Sequence, residues 1–155
     1  MENNKIIHGN IIEAPRGTYI VNFVNSEFKP YKETYIYSTY MDKIYDMQTK
    51  LKKFYGNYDF SLEGAVCLPV DDVFNLVVTD ATNNFFVENY KTAIENMKKW
   101  AINNLITKIA IPIDPLTSVV EVQEQQGEIY DFIYDTFKDT AIDISLYTLS
   151  LFYAE

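Results

Sequence analysis

The run Thr18-Tyr-Ile-Val-Asn-Phe-Val24 is apolar at almost every position, broken only by Asn22 among its last residues. A strand with one wet face alternates apolar and polar side chains. A run that is apolar on both faces belongs in the middle of a sheet covered on both sides. Val73-Phe-Asn-Leu-Val-Val-Thr79 and Lys108-Ile-Ala-Ile-Pro112 read the same way, and Ala65 to Leu68 as a shorter strand. Between these runs the apolar period changes to that of helices. Tyr37, Tyr40, Met41, Ile44, Tyr45, Met47, Leu51, Phe54 and Tyr55 recur at three- and four-residue intervals between Thr34 and Tyr55, and Gly56 is a helix stop. A second helix is predicted from about Phe86 to Asn103, with Tyr90, Ala93, Ile94, Met97, Trp100 and Ala101 as its stripe. Ile129, Phe132, Ile133 and Phe137 mark a third, ending near Lys138. Lys5 to Ile12 reads as a strand broken at Gly9, Ser118 to Val122 as a short strand, and Ala141 to Tyr147 as the last strand. Without the 118–122 strand, the order is β-β-α-β-β-α-β-α-β. That order predicts an α/β fold, a three-layer α/β/α sandwich on a mixed sheet.

A length of 155 residues suits one domain, taken as residues 1–155. The formal net charge of -9 argues against a nucleic-acid partner, because phosphates need cations to neutralise them. The carboxylates are scattered rather than blocked, which weighs against mimicry of nucleic acid. Cys67 is the single cysteine, so neither an intrachain disulfide nor a thiolate metal cluster can form. Its apolar neighbours read it as a small buried hydrophobe. Asp71, Asp72 and Asp114 do not make a complete metal-ligand set by spacing, and a solvated turn is the simpler reading of the pair. The single histidine, His8, reads as structural or exposed at a strand end. No signal peptide and no membrane-length apolar run is found, which leads to the expectation of a cytoplasmic protein without a membrane partner. The apolar tail Leu146 to Phe152 could cover a sheet edge or form a homo-oligomer contact.

Glycine is the residue that phosphate-binding loops use, because backbone N–H groups must approach oxygens closely and often at positive φ. No glycine lies between Gly17 and Gly56, or between Gly64 and Gly127. The strand ends at Asn25-Ser26 and at Pro112 are where an α/β sheet places ligands, yet the segments that follow lack this residue.

The order of elements and several segments resemble a macro domain, the fold that binds ADP-ribose and its relatives. The resemblance rests on His8-Gly-Asn-Ile-Ile12, Ile20-Val-Asn-Phe-Val-Asn-Ser26, Val73 to Thr79, the run Tyr90 to Pro112, and the closing helix and strand from Ile129 to Leu149. It covers most of the chain, mainly through core segments. It implies that Asn10 and Ile11 replace the turn whose aspartate contacts adenine. It further implies that Asn22, Asn25 and Ser26 stand at the strand entering the distal ribose and phosphate loop. Tyr31 and Tyr35 lie in or near that loop and are candidates to stack on a base or ribose. Pro112 and Ile113 begin the second phosphate loop, and Tyr147, with Phe152, flanks the adenine. This chain departs from the pattern in both loops: Glu27 to Tyr35 and Ile113 to Val122 contain no glycine, and Asp114 sets a negative charge where a diphosphate would sit.

Three functions follow as expectations. The first is non-catalytic binding of a nucleotide-derived ligand, ADP-ribose-like or a signalling nucleotide, in a remodelled cleft, with sequestration as one use. The alternative is a protein-interaction module or inhibitor that keeps the fold as scaffold, engaging a protein partner through its tyrosine-rich helix and acidic surface. The third is residual ADP-ribosyl hydrolysis. No catalytic residue, metal or cofactor is assigned.

Overall fold

The computed structural model describes residues 4–9, 11–29, 47–80, 87–112 and 120–148. Strand β1 is Asn4–His8, followed by a bend at Gly9 and a 3-10 turn at Ile11–Glu13. Then come β2 (Tyr19–Asn25), helix α1 (Met47–Tyr55), the short helix α2 (Phe60–Glu63), β3 (Val66–Val70) and β4 (Val73–Thr79). The chain continues through α3 (Val87–Asn103), β5 (Lys108–Pro112), α4 (Val120–Phe137) and β6 (Asp143–Thr148). The strands form one six-stranded mixed sheet in the order β1-β6-β5-β2-β4-β3. Neighbours run parallel except β3, which is antiparallel to β4 across the Asp71-Asp72 turn. Both aspartates have positive φ, 49° and 63°, the mirror-type turn whose twist matches that of the strands it joins.

The apolar runs do what their composition requires. In β2 the residues from Val21 to Asn25 are all buried, and in β4 every residue is. Val21, Phe23, Phe74, Leu76 and Val78 face α3 and α4, whose Tyr90, Ala93, Ile94, Met97, Ile133 and Phe137 close that core. Val24, Val73 and Val77 face the other way, onto Met47 and Leu51 of α1 and onto Phe28. The sheet is therefore covered by helices on both sides.

The reading of Ser118 to Val122 as a short strand is corrected: α4 already begins at Val120. Glu121 and Gln123 to Gln126 are good helix formers and extend the Ile129–Phe137 helix backwards through Gly127, whose cost is about 1 kcal/mol. The first predicted helix is described only from Met47 onward, so its first part lies outside the described residues. Its stripe also ends differently from expectation. Met47 and Leu51 are buried, but Phe54 and Tyr55 are 65% and 40% exposed. Cys67 is buried, and burial pushes its thiol pKa up, as suits an inert core residue.

Candidate functional site

Strand β2 is central, and its connections set where a cleft can form. After β2 the chain reaches α1 on one face of the sheet; after β5 it reaches α4 on the other. Adjacent parallel strands whose connections leave to opposite faces form a topological switch point, with a crevice outside their carboxyl ends. A parallel hydrogen-bonded ladder joins the two strands. It pairs Tyr19 with Ile109 and Ile20 with Ala110, while the strands run on to Asn25 and Pro112. At the same offset Pro112 stands level with Asn22.

The exit of β2 is held tightly. The Asn25 side-chain oxygen accepts the backbone N–H groups of Glu27 (2.9 Å) and Lys29 (3.1 Å). The Asn25 N–H donates to the Lys29 carbonyl and the Phe28 N–H to the Asn25 carbonyl, both at 2.9 Å. The side chain of Gln48 on α1 donates to the Glu27 carbonyl at 2.9 Å. Phe28 takes the left-handed conformation, φ 64°, where glycine would be favoured. Its ring is 1% exposed and packs against Tyr58 at 6.1 Å, so burial holds a backbone shape that a bulky residue resists. This turn achieves its left-handed residue without glycine, and it directs the N–H groups of Glu27, Phe28 and Lys29 inward to Asn25, whose own N–H goes to Lys29.

Asn22 lies deeper, fully buried beneath α1. Its amide donates to the Asn75 side-chain oxygen at 2.9 Å. Asn75 donates in turn to the Leu68 carbonyl at 3.0 Å and to the Met47 sulfur at 3.6 Å. The pair links β2, β4, β3 and α1 through the inside of one face. The other oxygen of the pair, on Asn22, has no hydrogen-bond partner.

On the far side of the crevice, Ile7, Tyr147 and Pro112 stand side by side in register across β1, β6 and β5. Tyr147 is buried, which raises its hydroxyl pKa. Ile11 is buried in the 3-10 turn and belongs to the core beside β5. The structure thus places Asn25 and Ser26, Pro112, and Tyr147 at the carboxyl ends of β2, β5 and β6, with Ile11 in the core and Asn22 inside the sheet. Asn10, Tyr31, Tyr35 and Ile113 lie outside the described residues.

No protein-family model matches the sequence, and no curated protein does. Solved structures do match. The macrodomain of Thermus aquaticus DarG superposes with a TM-score of 0.66 at 15% identity, over 94% of this chain and 97% of that one. A macrodomain protein from Streptomyces coelicolor gives 0.60 at 12%, over 94% and 98%. Thermosipho africanus DarTG, solved in complex with ADP-ribose, gives 0.65 at 10%, over 100% of this chain and 43% of that one. The chain has the macrodomain fold.

Within this macrodomain fold, sequence reading missed a second feature at the same sheet edge. Ser26 after β2, Asp80 after β4, and Asn57, Tyr58, Asp59, Phe60 and Ser61 ahead of β3 line an open hollow of about 480 Å³. Asp59 caps α2: its carboxylate accepts the Ser61 N–H at 3.1 Å and the Ser61 hydroxyl at 2.6 Å, which lowers its pKa. Tyr58 donates its hydroxyl to the Gly64 carbonyl, and burial, helped by Glu63, pushes its pKa up to about 12. Asp-x-Ser at 59–61 is a legible cap signal, but nothing local in the sequence ties it to Ser26 or Asp80.

Proposed function

We propose that the chain binds a nucleotide-derived ligand of the ADP-ribose type, without turning it over, in the crevice between the carboxyl ends of β2 and β5. The observation that carries this reading is the topological switch point, where the parallel neighbours β2 and β5 send their connections to opposite faces of the sheet. A shared fold with a protein solved with ADP-ribose bound supports the ligand class by analogy. The non-catalytic part rests on the two glycine-free segments after Asn25 and Pro112, and on the Asn25 carboxamide's commitment to its own turn. A ligand there meets a pre-shaped turn rather than a set of free N–H groups.

Calorimetric titration with ADP-ribose tests the reading. Asn25→Asp is the informative variant, because a carboxylate keeps both accepted N–H bonds and the turn, while removing the amide donor and adding a repulsive charge. Saturable heat in the parent protein that weakens about tenfold or more in Asn25→Asp supports the crevice. No heat from the folded parent sinks it.

One observation favours a second reading, a protein-interaction surface. Phe54 and Tyr55 of α1 are exposed and line a cavity of about 380 Å³ together with Pro69, Val70 and Asp71. Lys52 and Lys53 flank it on the same helix, in a protein of net charge -9. A partner there would present apolar and acidic side chains.

A further inference from the structure

Helices α3 and α4 cover one face of the sheet and pack against each other. The Lys91 ammonium on α3 meets the Glu128 carboxylate on α4 at 2.6 Å and lies 5.6 Å from the centre of the Phe132 ring. Each helix links two parallel strands, α3 from β4 to β5 and α4 from β5 to β6, so the two run in the same direction. The Lys91–Glu128 contact therefore sets Lys98 level with Asp135, about two turns further along both helices. From that level down, the two helices differ in sign. Along α3, Lys98 and Lys99 follow Glu95, and no acidic residue occurs between there and Pro112. Along α4, Asp131, Asp135 and Asp139 face only one cation, Lys138, which pairs with Asp135 at 3.4 Å. Among the described residues, Lys98, Lys99, Asp131 and Asp139 make no ion pair. The same layer leaves apolar groups in water: Ile102 is 48% exposed and Leu105 86%. Leu105 closes α3 in the left-handed conformation, φ 58°, with the Ile106 N–H donating back to the Ala101 carbonyl at 2.9 Å. Glycine is the residue such a helix end favours, so this leucine costs backbone strain that no burial in the single chain offsets.

We propose that this face joins two copies of the chain about a twofold axis that runs between α3 and α4 and along them. Such an axis lays α3 of each copy on α4 of the other at the same level. Lys98 and Lys99 then meet Asp131 and Asp135 twice, once on each side of the axis. Ile102 and Leu105 are covered between the two layers. The argument for a second copy is charge complementarity: the basic helix and the acidic helix lie side by side, so the face is its own complement. The outer faces of two helices of this length offer about 500 Å² per copy, below the roughly 800 Å² of a standard interface, so the association is weak and concentration-dependent. This face lies on the other side of the sheet from α1, and its charged end is where α3 and α4 return the chain to β5 and β6. It is therefore independent of the crevice at the carboxyl ends of the strands.

The test is sedimentation equilibrium of the whole chain from low micromolar to submillimolar concentration, at low and at high salt. A monomer–dimer equilibrium is expected, weakened about tenfold at high salt because its ion pairs are screened. Two double charge reversals read the arrangement: Lys98→Glu with Lys99→Glu, and Asp131→Lys with Asp135→Lys. Each is expected to be monomeric alone, because both helices then carry one sign. An equimolar mixture of the two is expected to associate, because the acidic α3 of one variant meets the basic α4 of the other and the reverse holds across the axis. Leu105→Gly separates the interface from the fold. It relieves the left-handed residue, so the thermal midpoint of the monomer should not fall, while the dimer weakens about tenfold with loss of a buried leucine. Far-UV circular dichroism matching the parent reports that each variant is folded. A chain that stays monomeric at the highest concentration would overturn the proposal. So would a dimer that survives either double reversal alone, reversals that fail to associate when mixed, or a dimer as tight in Leu105→Gly as in the parent.

Discussion

The two flanks of β2 differ. Toward β4 the strand is paired from Ile20 to Asn25, with one bulge before its last residue, and an amide pair ties Asn22 to Asn75 inside. Toward β5 it meets a parallel strand whose connection leaves to the opposite face of the sheet. One flank of the strand is therefore a structural beam, and the other is the topological switch point. The contrast explains why a strand so apolar carries two asparagines: Asn22 serves the bonded flank, and Asn25 shapes the exit. On the proposed reading, a ligand meets the switch point without glycine-rich loops.

The sharpest break of this contrast is at Phe28, whose buried ring holds the β2 exit. Phe28→Ala is expected to cost about 3–5 kcal/mol in chemical denaturation, as large core truncations do. Phe28→Gly removes the same ring but relieves a left-handed backbone, so it should cost about 1 kcal/mol less than alanine. Elsewhere in a fold glycine is the worse of the two. A larger loss for glycine would mean that the turn is not strained.

The bonded flank is tested next. Asn75→Ala leaves the buried Asn22 amide and the Leu68 carbonyl without their partner, and a loss of about 2–3 kcal/mol is expected. Changing both asparagines to leucine should cost less than the single alanine, because the remaining orphan on Asn22 disappears with its partner. A double variant worse than the single would show that the pair stabilises beyond satisfying itself.

Smaller effects sharpen the edge. Tyr58→Phe removes the bond to the Gly64 carbonyl, and about 1 kcal/mol is expected. Its pH dependence has a definite sign. The folded pKa is raised to about 12 from an ordinary value of 10.0, so the folded state holds the proton more tightly than the unfolded chain. This contribution is complete below pH 10 and is lost as pH rises toward 12, and the parent and Tyr58→Phe stabilities should converge over that window. Smallest of all, Lys50→Ala breaks a 2.5 Å ion pair to Asp71 that is largely exposed, and no more than about 0.5 kcal/mol is expected.

Much of the frame was legible in the residues. Val73–Thr79 and Lys108–Pro112 were bounded correctly because runs of β-branched and apolar residues end at polar or proline breakers. The start of α4 was not legible, because its first turns are glutamate and glutamine with no apolar stripe and Gly127 follows. The candidate site divides in the same way. Asn25 and Pro112 could be placed at strand ends from sequence. The engagement of the Asn25 side chain depends on the backbone path of Glu27 and Lys29. The depth of Asn22 depends on Asn75, far along the chain, meeting it across two strands. The acidic hollow joins three segments distant in sequence, so local pattern could not reveal it. The edge strand β3 has a defence of the same kind: Pro69 offers no N–H, and the Tyr55 hydroxyl donates to its carbonyl at 3.0 Å. Proline at an edge can be read from sequence, but its tyrosine partner cannot.

The most direct test of the crevice is an amide-shift map of the chain with ADP-ribose. The account predicts saturable shifts along Val21 to Asn25, Ile111 and Tyr147, with the exposed surface at Phe54, Tyr55 and Val70 unmoved. No shifts, or shifts confined to that surface, would contradict it.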